Sequence, residues 1–216
     1  LSNSNAAFNG FLELFANYNT TLWPMIIVAY VLGIVAVIFA IKKTGYSSKV
    51  ISGILAFFWL WNGIVFQGIF FSQLNPTSGY VSAVLLFIEG IIFIVTGVFK
   101  QDLSFNFKPD TFGIVGWFCV LYGMVGYPVI EYVLGRGYPQ LAAFGLITCP
   151  TTIFTLGMLL WADKRVPRYV LPILFLFVLM GVMPVSIGII EDIGLVVLGL
   201  IASVMILFHG RRIERE

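Results

Sequence analysis

Inside the apolar run from Phe144 to Gly157 stand a thiol, Cys149, a helix breaker, Pro150, and the hydroxyls of Thr148, Thr151, Thr152 and Thr155. Carbonyls freed by a proline, threonine hydroxyls and a thiol are the materials of a solute or ion site within a broken helix. The same residues also suit a kink that satisfies itself, with hydroxyls returning to the carbonyls released around Leu146 and Ile147. Both readings stand. A second candidate is Glu89 in VSAVLLFIEGIIFIVTG, which follows Tyr80 by nine residues. At about 1.5 Å per residue it lies roughly 14 Å into a hydrocarbon core about 30 Å thick. A carboxyl at that depth is a proton or cation site or an anchor for a polar ligand; the plainer reading is a protonated group bonded to a neighbouring helix as packing glue.

Further polar residues fall at middle depth or toward one side. Asn62 and Gln67 lie near Trp59 and Trp61, Tyr127 and Glu131 share one helix face at four-residue spacing, and Glu191 and Asp192 adjoin. The amides suit helix bridging, Glu131 suits pairing with Arg136, and turn acids are commonly just solvated. Collected in one half of a bundle, these groups point to a cavity open on that side, with acidic walls favouring cations or hydrogen-bond donors.

The elements that must position them are membrane helices. Sixty per cent of the residues are hydrophobic and ten per cent charged, against about 25% charged in globular chains. An all-α integral membrane protein is expected, a single transmembrane domain over 1–216. Apolar runs about 20 residues long fall at 22–41, 50–73, 80–99, 111–133, 139–162, 169–190 and 193–209, with Glu191-Asp192 as the tight turn between the last two. Of the 12 Lys and Arg residues, only Arg136 falls on one side of this arrangement. The seven-helix bundle therefore places its N-terminus outside and its C-terminus in the cytoplasm. Residues 1–21 carry Phe8, Phe11, Leu12, Phe15 and Tyr18 at helical spacing, which predicts an amphipathic helix lying on the outer interface or serving as a lid.

Much is excluded. His209 is the one histidine, so bis-histidine haem, a histidine-rich zinc site and a di-iron centre cannot be built in the bundle. No lysine lies within a span to carry a retinal Schiff base, and neither a phosphate loop, a nucleophile elbow nor an arginine ladder occurs. Basic residues gather in connections rather than in a stripe, which argues against nucleic acid. Cys119 and Cys149 sit in apolar runs, so a disulfide framework is not indicated. LSNSNAAFNG lacks the features of a signal peptide, and insertion through the first span is expected.

Phe15-Ala16-Asn17-Tyr18-Asn19 before Trp23-Pro24, Asn75-Pro76, Tyr127-Pro128 through Gly137-Tyr138-Pro139, Cys149-Pro150-Thr151-Thr152 and Glu191-Asp192 with Gly194-Leu195 together resemble a family of prokaryotic membrane proteins, domain of unknown function 6064. The resemblance covers nearly the whole chain. It implies a prokaryotic plasma membrane and draws attention to the Cys-Pro-Thr-Thr, Tyr-Pro and Glu-Asp elements, while implying no activity. The family pattern has Pro-Cys-Pro where this chain has Thr148-Cys149-Pro150, and an amide near Glu89, which makes Glu89 this chain's own elaboration.

Three functions follow from these residues, in this order. The first is a transporter, channel or small-solute-binding protein, with Glu89, Cys149, Thr151, Thr152, Asn62, Gln67, Tyr127, Glu131, Glu191 and Asp192 as candidate binding residues for a proton, a cation or a small polar solute. The second is a sensor or accessory subunit that binds a partner membrane protein. The third is an intramembrane enzyme without cofactor, using Glu89 with Cys149 or Tyr127, and it has the least support because no nucleophile motif accompanies them.

Overall fold

A computed structural model describes residues 2–213, with side chains described over residues 5–208. Arg211, Arg212 and Arg215, which contribute to the charge asymmetry, lie outside the described side chains. The described chain is helical, with one isolated bridge between Phe105 and Ala162. Helix α1 is Ser2–Thr21 and α2 is Trp23–Ile41, followed by α3 Ser47–Leu74, α4 Pro76–Phe99, α5 Thr111–Val133, α6 Thr148–Leu160, α7 Arg168–Ser186 and α8 Asp192–Ile213. Five of them, α2, α3, α4, α5 and α7, are long and apolar enough to cross a membrane; α6 and the apolar part of α8 are shorter.

Small residues set the packing. Helix α2 buries only Ala29, Gly33, Ala36 and Ala40, a stripe at helical spacing that lets its backbone approach the bundle closely. Gly116 of α5 and Gly157 of α6 face each other so tightly that a Cβ on either would stand 2.8–2.9 Å from the other's carbonyl oxygen. Three helices carry π-type turns, at Asn62–Phe71, Ile94–Phe99 and Tyr122–Gly126. The last has a local cause: Pro128 cannot donate to the carbonyl of Met124, and the Tyr30 hydroxyl takes that acceptor at 2.9 Å.

The span expected over 139–162 is not one helix. Residues 139–147 run irregularly, Ile147 is extended, and α6 begins only at Thr148. The reason lies in Pro150, which has no N–H to offer Leu146; a helix starting at Thr148 puts the proline in the first turn, where that donor is not needed. Pro150 therefore starts a helix rather than kinking one. Twelve of the thirteen residues of α6 are buried, so the short helix forms the axis of the bundle.

Both ends of the bundle are closed by chain. At one end α1 lies across α3, burying Leu12, Phe15, Tyr18 and Asn19 and setting Tyr18 edge-to-face against Phe70 and Phe66, with centroids 4.9 and 5.3 Å apart. One face of this helix thus packs against the bundle. At the other end residues 100–110 fold under the bundle: Phe107 N–H donates to Ala40, Asn106 N–H to Trp161, and the Trp161 indole to Gly113. Lys43 pairs with Asp163 at this second end.

Candidate functional site

Beneath the lid is a cavity of about 120 Å³. Phe11 and Phe15 of α1, Phe66, Gln67 and Phe71 of α3, Ser82 of α4 and Tyr127 of α5 line it, with Thr148, Cys149 and Thr152 of α6, Phe177 and Met183 of α7 and Asp192 of α8. Much of the wall is aromatic or aliphatic, with a few polar groups contributed by α3, α4, α5, α6 and α8, a composition typical of small-molecule sites.

Asp192 anchors the polar side. It is the first residue of α8, where the helix N-terminus favours a negative charge. The Tyr127 hydroxyl donates to its Oδ1 at 2.5 Å and the Cys149 thiol to its Oδ2 at 3.3 Å. Tyr122, one turn before Tyr127, donates to the Glu191 carbonyl at 2.7 Å, and its ring fills the space that any Cβ at Gly194 would occupy. Behind Asp192, the Arg136 guanidinium pairs with Glu191, and Phe8 of the lid covers Arg136 with its ring centroid 5.7 Å away.

A second polar chain runs through the wall. The Asn62 amide N–H₂ donates to the carbonyls of Phe58 and Gly145 at 2.8 and 3.0 Å, the Thr148 hydroxyl donates to Asn62 Oδ1 at 3.2 Å, and Gln67 Nε2 donates to Thr148 Oγ1 at 3.3 Å. Gln67 Oε1 is buried without a protein partner.

One family model, that of the family of unknown function DUF6064, matches residues 8–216. The chain belongs to DUF6064. No curated protein and no solved structure matches it.

In this DUF6064 chain the candidates named from sequence separate into three groups. Gln67, Tyr127, Cys149, Thr152 and Asp192 meet at the cavity, with Glu191 directly behind. Asn62, Thr151 and Glu131 are occupied by backbone. The Thr151 hydroxyl donates to Ile147 at 2.6 Å, and both oxygens of Glu131 accept from the Ala142 N–H at 2.8 and 3.1 Å. Glu131 thus anchors the irregular segment, and the ion pair expected between it and Arg136 goes to Glu191 instead. Glu89 stands apart: it is fully buried, neither oxygen has a protein partner, and it does not line the cavity.

Two expectations change. Glu191 and Asp192 do occupy a turn, but both are buried rather than solvated, because α1 and Arg136 cover that end. The threonines divide the Phe144–Gly157 run between the two original readings. Thr151, Thr152 and Thr155 return their hydroxyls to carbonyls four residues earlier, as a self-satisfied helix start does, while Thr148 and Cys149 face the cavity.

Four residues of α1 outside the candidate binding residues named from sequence also contribute. Tyr18 donates to Leu146 at 3.0 Å, Asn19 donates to Pro139 and Leu141 at 2.8 and 2.7 Å, and Phe11 and Phe15 supply cavity wall. The available signal was the Asn-Tyr-Asn polarity set into the apolar face of an amphipathic helix, which a merely interfacial helix does not need. Among the described residues, no group of three or more His, Cys, Asp or Glu is placed to hold a metal ion.

Proposed function

We propose that this protein crosses the membrane seven times, with its N-terminus outside and its C-terminus in the cytoplasm, and binds a small solute in the cavity under α1 as the binding step of a transport cycle. The observation that carries this reading is the convergence of polar side chains from α3, α5, α6 and α8 on one wall of a lidded cavity. Gln67, which lines the cavity, keeps one buried amide oxygen without a protein partner. The seventh crossing is supplied by α6, about 20 Å long at 1.5 Å per residue, together with the irregular segment before it. Non-helical backbone at that depth is tolerated where protein buries it, and Ala142, Ala143, Phe144, Leu146 and Ile147 are all buried. A continuous channel is disfavoured by the apolar axis of α6 and the folded segment at the lysine-rich end.

The test places a thiol inside the cavity. In a background lacking Cys119 and Cys149, Ser82→Cys should react with a small, membrane-impermeant thiosulfonate added from outside to intact cells. Filling the cavity with Met183→Trp should slow that reaction several-fold. Reaction only after detergent unfolding would mean that the space is sealed, and the solute-binding reading would fail.

A further inference from the structure

We propose that the guest of this cavity is a small organic ammonium ion, its charged head against Asp192 and Gln67 and its apolar body among the phenylalanines; this rests on the solute-binding reading above. Hydrogen-bond direction carries the argument. The oxygens of Asp192 stand within hydrogen-bond reach of a phenol and a thiol, both neutral groups. Each oxygen keeps a lone pair. The nearby cation, Arg136, pairs through Nη2 with Glu191 and is covered by Phe8, while its Nη1 has no hydrogen-bond partner. Asp192 is therefore a buried carboxyl group without an ion-pair partner, and burial disfavours its charge unless a cation joins it. The start of α8 offsets part of the cost, and a guest cation would supply the rest.

Gln67 gives a second, independent indication. Asn62 must point its N–H₂ at the Phe58 and Gly145 carbonyls, which leaves Asn62 Oδ1 to accept from Thr148. The Thr148 oxygen then accepts from Gln67, so the amide of Gln67 is fixed with Nε2 toward Thr148. Its Oε1 is left as a free acceptor, on a residue more than nine-tenths buried that lines the cavity. Four donors near Asp192 are engaged: Tyr127 and Cys149 on Asp192, Thr148 on Asn62, Thr152 on the carbonyl of Thr148. A guest head that donates therefore meets acceptors in Asp192 and Gln67. Phe11, Phe15 and Phe66 add ring faces, which attract cations when water is excluded. Local charge points the same way, since Arg136 is the one basic residue among the described side chains paired with any of Glu131, Glu191 and Asp192. The cavity volume of about 120 Å³ sets the size, because a cavity near 150 Å³ accommodates benzene.

The experiment compares matched pairs on the purified full chain in detergent. Propylammonium and butylammonium are titrated against 1-propanol and 1-butanol, with binding read by calorimetry and by the shift in thermal unfolding. The ammonium ions should bind at least tenfold more tightly than the alcohols of the same shape. Gln67→Leu should weaken the ammonium ions several-fold and the alcohols less, and Asp192→Asn should erase the difference within each pair. Should Asp192→Asn fail to fold, Gln67→Leu and the alcohol comparison decide alone. Equal binding of alcohols and ammonium ions would overturn the proposal while leaving the cavity as a solute site. Absence of binding by all four, with Ser82→Cys still reactive from outside, would also overturn it and leave the cavity open to another class. Absence of binding together with an unreactive Ser82→Cys would remove the solute-binding reading itself.

Discussion

Asp192 and Asp163 are both carboxylates with close partners, and their partners give them different roles. Asp192 accepts from neutral donors inside the bundle, whereas Asp163 lies beyond α6 beside the Lys43 ammonium. Partial burial by itself would raise the Asp163 carboxyl, but hydrogen bonds from Lys43 and Ser104 and the Lys43 charge outweigh it and hold the group below the usual carboxylate range. A depressed folded value means that the contribution to stability is present above the unfolded value of about 3.9 and is lost as pH falls through the folded one. Because Lys43 is largely exposed, the gain stays under about 1 kcal/mol. Asp163→Asn should thus unfold slightly more easily than the wild type from pH 7 to pH 5, and the two should converge as acid protonates Asp163. Unfolding curves in a mild detergent across that range check this, and a gap that persists at the acid end would show the role of Asp163 to be packing. At this scale the sequence was half legible. Tyr127 and Glu131 do share a face and a depth, but which would meet a cavity and which a backbone N–H depended on where residues 139–147 turn, and spacing along α5 carries no such information.

Among the elements, long helices are the part a hydropathy pattern reveals, since α2, α3, α4, α5 and α7 each hold a continuous apolar run that hydrocarbon demands. The start of α6 is different. Its apolar run continues upstream without a break in composition, and only the missing donor of Pro150, together with the demand of Leu146 for a partner from Tyr18, ends the helix at Thr148. Both causes are tertiary, because Tyr18 comes from the far end of the sequence. The π turns were equally hidden. What holds α6 in place is its contact with α5 at Gly116 and Gly157, where the backbones are too close for any side chain. Gly157→Ala would set a methyl 2.8 Å from the Gly116 carbonyl oxygen and 2.9 Å from Cys119 Cβ. Separating the helices to make room should cost about 1–3 kcal/mol. The thermal midpoint should therefore fall by several degrees, far more than for Gly53→Ala on α3, where a Cβ meets open space. Similar midpoints for the two variants would show that the α5–α6 contact is not the tight one.

For the molecule as a whole, two kinds of asymmetry coincide. The end that carries the lid, the irregular segment and the cavity holds Arg136, while Lys42, Lys43, Lys49, Lys100, Lys108, Lys164, Arg165 and Arg168 lie in the connections and helix ends at the opposite end. Cytoplasmic loops collect Lys and Arg because such loops translocate poorly, and on that ground the proposed orientation puts the lysine-rich end in the cytoplasm and turns the cavity outward. Single cysteines on exposed residues at the two ends separate the possibilities in a background lacking Cys119 and Cys149. Ser78→Cys, beside the cavity mouth, should react with an impermeant maleimide on intact cells, and Lys49→Cys should react only after the membrane is permeabilised. The reverse pattern would turn the cavity toward the cytoplasm and make the charge bias an exception. Reaction of both on intact cells would rule out a fixed single orientation. The expected pattern would also constrain the solute, because a site that opens outward and closes toward the lysine-rich end captures from outside, and a cationic guest would then be drawn inward by a membrane potential that is negative within.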